Sequence, residues 1–233
     1  GFWERRDVRN VCDGLLHGAG ADWHHLAGFS LDEIPDQIRQ EQVAAFRSVL
    51  DDLDQHQPWV VKEPRLCLLL PVLLAELRSP VCVHVTREPL EVAQSIHQRN
   101  GIPVQGAIAL WELYTRQAAV VSEGLPWVHV RHRQLMADPV GTVATLVEQL
   151  HALGVTGVEV PTDSEILDFI APDLHRQKRS AAERSGRLNA EQELLAELAE
   201  SGNLFAYDTD IPPLSEGARE ELEVIERVDR AEG

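Results

Sequence analysis

Two short stretches place a cation just ahead of a proline. In "VTREPLEVAQS" (85–95) a β-branched run stops on Arg87, Glu88-Pro89 breaks the chain, and a helix-like run carries Ser95 six residues beyond the proline. In "VVKEPR" (60–65) Lys62 stands before Glu63-Pro64 in the same way. Proline is favoured as the first residue of a helix, so the peptide N–H groups that follow face whatever lies beyond the strand end. An arginine fork, a helix start and a serine hydroxyl about 9 Å further along a helix suit a phosphate monoester. The spacing equally fits an arginine that closes a strand, a serine on a helix face and a solvated lysine before a turn. Only two of the 21 basic residues are lysines, Lys62 and Lys178, which favours a chemical role for the compact ammonium of Lys62.

Such residues act together only if the chain brings them to one edge. Three β-branched and aromatic runs, "PWVVKE" (58–63), "VCVHVTR" (81–87) and "PWVHVRH" (126–132), end in charge and read as strands buried under helices on both faces. Helical patterns lie between and around them: Phe46, Val49, Leu50 and Leu53 within about 36–55, a leucine-rich stretch at 66–77, and Ala107 to Val121 and Val143 to Leu150 at helical spacing. Strand and helix alternate at separations that imply parallel crossovers, so the fold class is α/β, a three-layer sandwich. In such sheets ligands bind at the carboxyl ends of the strands, where Lys62, Arg87, Arg131, His132 and Arg133 fall.

A chain of 233 residues is long enough for one sizeable core. No apolar run reaches membrane-spanning length, and the opening residues lack a signal-peptide pattern, so a cytoplasmic protein is expected. The net charge of −17 argues against nucleic acid and anionic membranes as partners. Much of it is local: residues 191–233 hold 13 acids and 3 bases. Residues 1–190 are therefore read as the α/β core and 191–233 as an acidic helical C-terminal extension. Cys12, Cys67 and Cys82 are expected as buried free thiols, and His97, His129 and His151 have no metal-ligand spacing, so no metal is expected.

The series "GFWE", "WVVKEPR", "HVTREPLEVA" continuing to "SIHQR", "ALWELY" and "LMADP" resembles the bacterial sulfotransferase family, a branch of the P-loop fold, over roughly residues 1–155. The resemblance implies the donor 3′-phosphoadenosine 5′-phosphosulfate and a hydroxyl acceptor, a carbohydrate or glycolipid among the candidates. It places Arg87 and Ser95 at the 3′-phosphate and Lys62 at the transferring sulfuryl group. It makes Glu4 the positional candidate for the base, and sets Lys178 and Arg179 in a loop over the nucleotide phosphate. In-line transfer then needs no metal: Glu4 takes the acceptor proton and Lys62 stabilises developing charge.

One diagnostic part of that family is missing from the sequence. No glycine- and serine-rich phosphosulfate loop follows a first strand, and "GLLHGAGAD" (14–22) is a poor substitute, with neither a preceding strand nor a loop cation. The expectation is a chain whose first strand and phosphosulfate loop lie outside this sequence. The alternative reading is a non-catalytic domain of the same fold that binds a nucleotide or a protein partner. Where the family commonly has an acidic pair, this chain has His132 and Arg133.

Overall fold

The computed structural model describes residues 4–170 and 187–232. Its order is α1 (Arg6–Gly18), α2 (Asp36–Leu53), α3 (Leu66–Leu73), β1 (Cys82–Thr86), α4 (Pro89–Asn100), α5 (Val104–Val121), β2 (Trp127–Arg131), α6 (His132–Ala137), α7 (Pro139–Ala152), α8 (Asp163–Phe169), α9 (Ala190–Ser201) and α10 (Glu216–Glu232). The fold is α/β, mostly helical, around a small parallel sheet.

The helices form where local chemistry favours them. In α1, Val8, Val11, Cys12, Leu15 and Leu16 recur at helical spacing and are all buried. Leu15 and Leu16 are fully buried, each worth about 1.5–3 kcal/mol of transfer free energy. Glu88 caps α4 by accepting from the Glu91 amide at 3.0 Å, Pro89 occupies the first turn, and Gly101 ends the helix in the left-handed region. Thr162 and Asn189 open α8 and α9 with reciprocal capping boxes to Glu165 and Gln192.

Helix α5 is the hub. It is buried along Gly106–Leu113 and packs against α3, α4, α9 and α10. The glycines of "GLLHGAGAD" serve helix packing. A Cβ on Gly18 would lie 2.7 Å from Ile38 Cγ2 and one on Gly14 would lie 2.6 Å from the Gln42 side chain, so both glycines let α1 close on α2.

The sheet pairs β1 with β2 in parallel, from Cys82 opposite Trp127 to Thr86 opposite Arg131. The expected third strand at 58–63 is corrected: this segment carries no ladder and joins no sheet. Its β-branched residues do favour extended backbone, but a strand also needs a neighbour to take its N–H and C=O groups, and none of the described residues supplies one. Val60 is accordingly 82 % exposed and Val85 of β1 is 60 % exposed, whereas Val128 and Val130 of β2 are buried.

The acidic C-terminal residues form α9 and α10, which bury Leu195, Ala196, Ala199, Ala218, Leu222 and Ile225. The buried carboxylate of Glu112 in α5 holds both. Its Oε1 accepts from the Ser215 amide at 2.5 Å, and its Oε2 accepts from Ser215 Oγ and Gln192 Nε2, each at 2.8 Å.

One face of the sheet rests on Phe205, just after α9. The ring of His84 stacks on it at 3.8 Å, and His84 Nε2 lies 3.1 Å from Ser122 Oγ. His129 Nε2 lies 2.7 Å from Thr86 Oγ1. Gly202, with φ +81°, lets the chain pass over His129, since a Cβ there would lie 2.7 Å from Nδ1. Burial, with nearby His129, lowers His84 to about 4, and burial followed by the Arg131 charge lowers His129, with Glu200 opposing.

Both rings stay neutral in the folded protein at a pH where the unfolded chain protonates them, near 6.5. The unfolded state thus binds more protons below pH 6.5, and stability falls until His84 titrates near 4. The unfolding free energy from urea titrations should fall by on the order of 2–3 kcal/mol for this group between pH 7 and 4.5. His84→Phe, which keeps a ring on Phe205, should flatten the slope relative to the unaltered protein.

Among the described residues, no helix is long and apolar enough to cross a membrane.

Candidate functional site

The parallel register fixes one edge of the site. With Thr86 opposite Arg131, the chain leaves both strands at the same end of the sheet, and Arg87 and His132 are the next residues on each. Arg87 Nε donates to Glu91 Oε2 at 2.9 Å, one helical turn ahead in α4. Glu91 is buried, so this bond holds the guanidinium by its inner nitrogen. No other hydrogen bond to Arg87 is formed among the described residues, which leaves the Nη fork for an anion.

Ser95 lies within α4 and is partly buried. Its hydroxyl makes no hydrogen bond among the described residues, and it does not touch Arg87. Neighbouring carboxylates Glu88 and Glu91 oppose an anion here, so an arginine rather than a helix start alone must carry the attraction.

Lys62 projects from the unpaired extended segment rather than from a strand end. The segment is anchored by inward-turned neighbours. Glu63 Oε1 accepts from the Arg65 amide at 3.1 Å and from Arg65 Nη1 at 2.7 Å, and Arg65 Nε lies 2.8 Å from Asp13 Oδ1. The Glu63 side chain is 1 % exposed, so breaking this pair would strand a buried charge. Lys62 points the other way, as alternation along extended chain requires.

There it meets Glu4. Lys62 Nζ donates to Glu4 Oε1 at 2.5 Å across 58 positions of sequence. The lysine is 56 % exposed and the glutamate 15 %. An exposed pair of this kind contributes about 0–1 kcal/mol to stability, so its interest lies in placement. Two residues singled out separately in the sequence are thus brought into contact, whereas no hydrogen bond or ion pair among the described residues joins them to Arg87 or Ser95. Lys178 and Arg179 lie outside the described residues.

At the end of β2, Arg131 Nη2 donates to Gln134 Oε1 at 2.8 Å, and Arg133 Nη2 lies 2.8 Å from Glu200 Oε1. Arg133 therefore ties α6 to α9. Burial pushes the Cys67 thiol up to about 12 and raises Cys12 and Cys82 as well, so none is a ready thiolate. Trp111 is core, as its spacing predicts.

Sequence reasoning missed two groups. The inward ion pair of Glu63 and Arg65 was hidden because both read as surface charge. Asp22, His24 and His25 converge in the loop after α1, and the spacing in "ADWHH" carried that signal unread.

No family model matches the chain, and neither a curated protein nor a solved structure matches it.

Proposed function

We propose that the protein is a sulfotransferase of the P-loop class, taking 3′-phosphoadenosine 5′-phosphosulfate as donor and a hydroxyl compound as acceptor. The observation that carries this reading is the contact of Glu4 with Lys62, because transfer to a hydroxyl needs a proton acceptor and a cation at one point. A second support lies at the strand edge, where Glu91 fixes Arg87 by Nε and leaves its fork for a phosphate.

The donor supplies the sulfuryl group and an adenosine phosphate as leaving group. This chain's residues supply a base, a cation and a phosphate grip. Glu4 takes the proton from the acceptor hydroxyl. Lys62, released from its ion pair as Glu4 gains that proton, is available to negative charge on the sulfonate and the bridging oxygen. Arg87, with Ser95 as hydroxyl donor, holds the nucleotide phosphate through charge-assisted bonds.

The test is binding of 3′-phosphoadenosine 5′-phosphate by calorimetry. Arg87→Ala should weaken it by about 10–100-fold, the worth of hydrogen bonds to a charged group. Glu91→Gln serves as control for the carboxylate that Arg87 leaves behind. No measurable binding, or equal binding by Arg87→Ala, would reject the reading. Binding without transfer to any hydroxyl would replace it with a nucleotide-binding role.

A further inference from the structure

Asp22, His24 and His25 lie in the loop that joins α1 to α2. Asp22 Oδ1 is 2.7 Å from His24 Nδ1, and Asp22 Oδ2 is 2.8 Å from His25 Nδ1. The three ligand atoms lie within 4.8 Å of one another. All three side chains are partly buried, so they are shielded without being sealed from solvent.

The loop holds this arrangement from several sides. Asp22 Oδ1 also accepts from the His24 amide at 2.8 Å and the His25 amide at 2.9 Å. Tyr114 of α5 donates its hydroxyl to Trp23 O at 2.8 Å, and Ala27 N donates to Glu226 Oε1 of α10 at 2.8 Å. The His24 ring packs between those of Trp23 and His25, with centroids at 4.5 and 4.0 Å. The donors are therefore ordered by contacts that do not involve any ion.

We propose that Asp22, His24 and His25 form a binding site for a divalent transition cation of the zinc class, with one Asp22 carboxylate oxygen and the Nδ1 atoms of both imidazoles as ligands. Two imidazoles and a carboxylate suit zinc, whereas magnesium and calcium favour all-oxygen sets. Zinc–nitrogen and zinc–oxygen bonds of about 2.0–2.2 Å set tetrahedral ligands roughly 3.3 Å apart. The three donor atoms, which lie within 4.8 Å of one another, must draw together by no more than about 1.5 Å to reach that spacing. Each neutral ring offers Nδ1 by carrying its proton on Nε2.

The site stands apart from sulfuryl transfer, which needs no metal, and its fate is independent of that reading.

The experiment uses the full chain after treatment with a chelator. Zinc chloride is titrated at pH 7.5 by calorimetry, and cobalt(II) is followed by its visible absorption. One saturable equivalent is expected, with a tetrahedral-type cobalt spectrum and a raised melting temperature. His24→Ala and His25→Ala should each weaken zinc at least about tenfold, while His151→Ala on α7 should change nothing. Circular dichroism checks that each variant is folded. Should Asp22→Asn disturb the loop, the cobalt spectrum of the unaltered chain still decides the matter, since imidazole coordination either appears or does not. Absence of a one-equivalent site, or zinc affinity unchanged in the folded double variant His24→Ala/His25→Ala, overturns the proposal.

Discussion

Glu4→Gln is expected to lower the turnover number by about 10²–10⁴-fold, the usual worth of a positioned general base. The amide keeps the shape of the side chain and can still meet Lys62 Nζ through its oxygen, so the cation should remain in place. What disappears is the ability to accept the acceptor's proton. Affinity for 3′-phosphoadenosine 5′-phosphate, which the reading assigns to Arg87 and Ser95, should change little. The measurement is release of that nucleotide from the donor in the presence of phenolic and sugar hydroxyls, with binding followed in parallel. A change in turnover of less than threefold would remove Glu4 from the mechanism, because no partial loss of an exposed ion pair is worth more than about 1 kcal/mol.

Glu112→Ala should produce the largest loss of stability, about 3–5 kcal/mol. The glutamate is 1 % exposed and accepts three hydrogen bonds, from Gln192 and twice from Ser215, both of which are buried as well. Truncation leaves three donors without an acceptor in the interior and opens a cavity beside α5. The urea midpoint should drop accordingly, and α9 and α10 should lose amide protection before the rest of the chain. Glu148→Ala, on the exposed side of α7, should shift the midpoint by less than about 0.5 kcal/mol. Equal midpoints for Glu112→Ala and the unaltered chain would show that Glu112 does not hold these helices.

The sequence was informative where the physics is local. Glu88-Pro89 announced the start of α4, and the β-branched and aromatic runs at 81–87 and 126–132 announced β1 and β2, although β1 is not buried on both faces as expected. The spacing of Phe46, Val49, Leu50 and Leu53 fell on the buried side of α2. The run at 58–63 reads the same way yet pairs with nothing among the described residues, because a ladder depends on what lies alongside and residue types do not encode that. Glu112 sat unnoticed in an apolar helix for a related reason: its partners are 80 and 103 positions away. For the candidate site, the place of Arg87 just after β1 was legible from spacing, whereas Lys62, expected at a strand end, lies in an extended segment without a ladder. The bond of Arg87 to Glu91 and the meeting of Lys62 with Glu4 are tertiary and became visible only in three dimensions.

The open side of the sheet has a colloidal meaning. β1 has one ladder partner among the described residues, and Val83 and Val85 stand exposed on it. Strands of this kind invite pairing between copies, and proteins usually cover or charge them. Here the opposing force is a net charge of −17, most of it carried by residues 191–233. Its reach is only about 8 Å at physiological salt and lengthens on dilution of the salt. Among the described residues no further strand pairs with β1, so repulsion between like-charged molecules is the force that opposes such pairing.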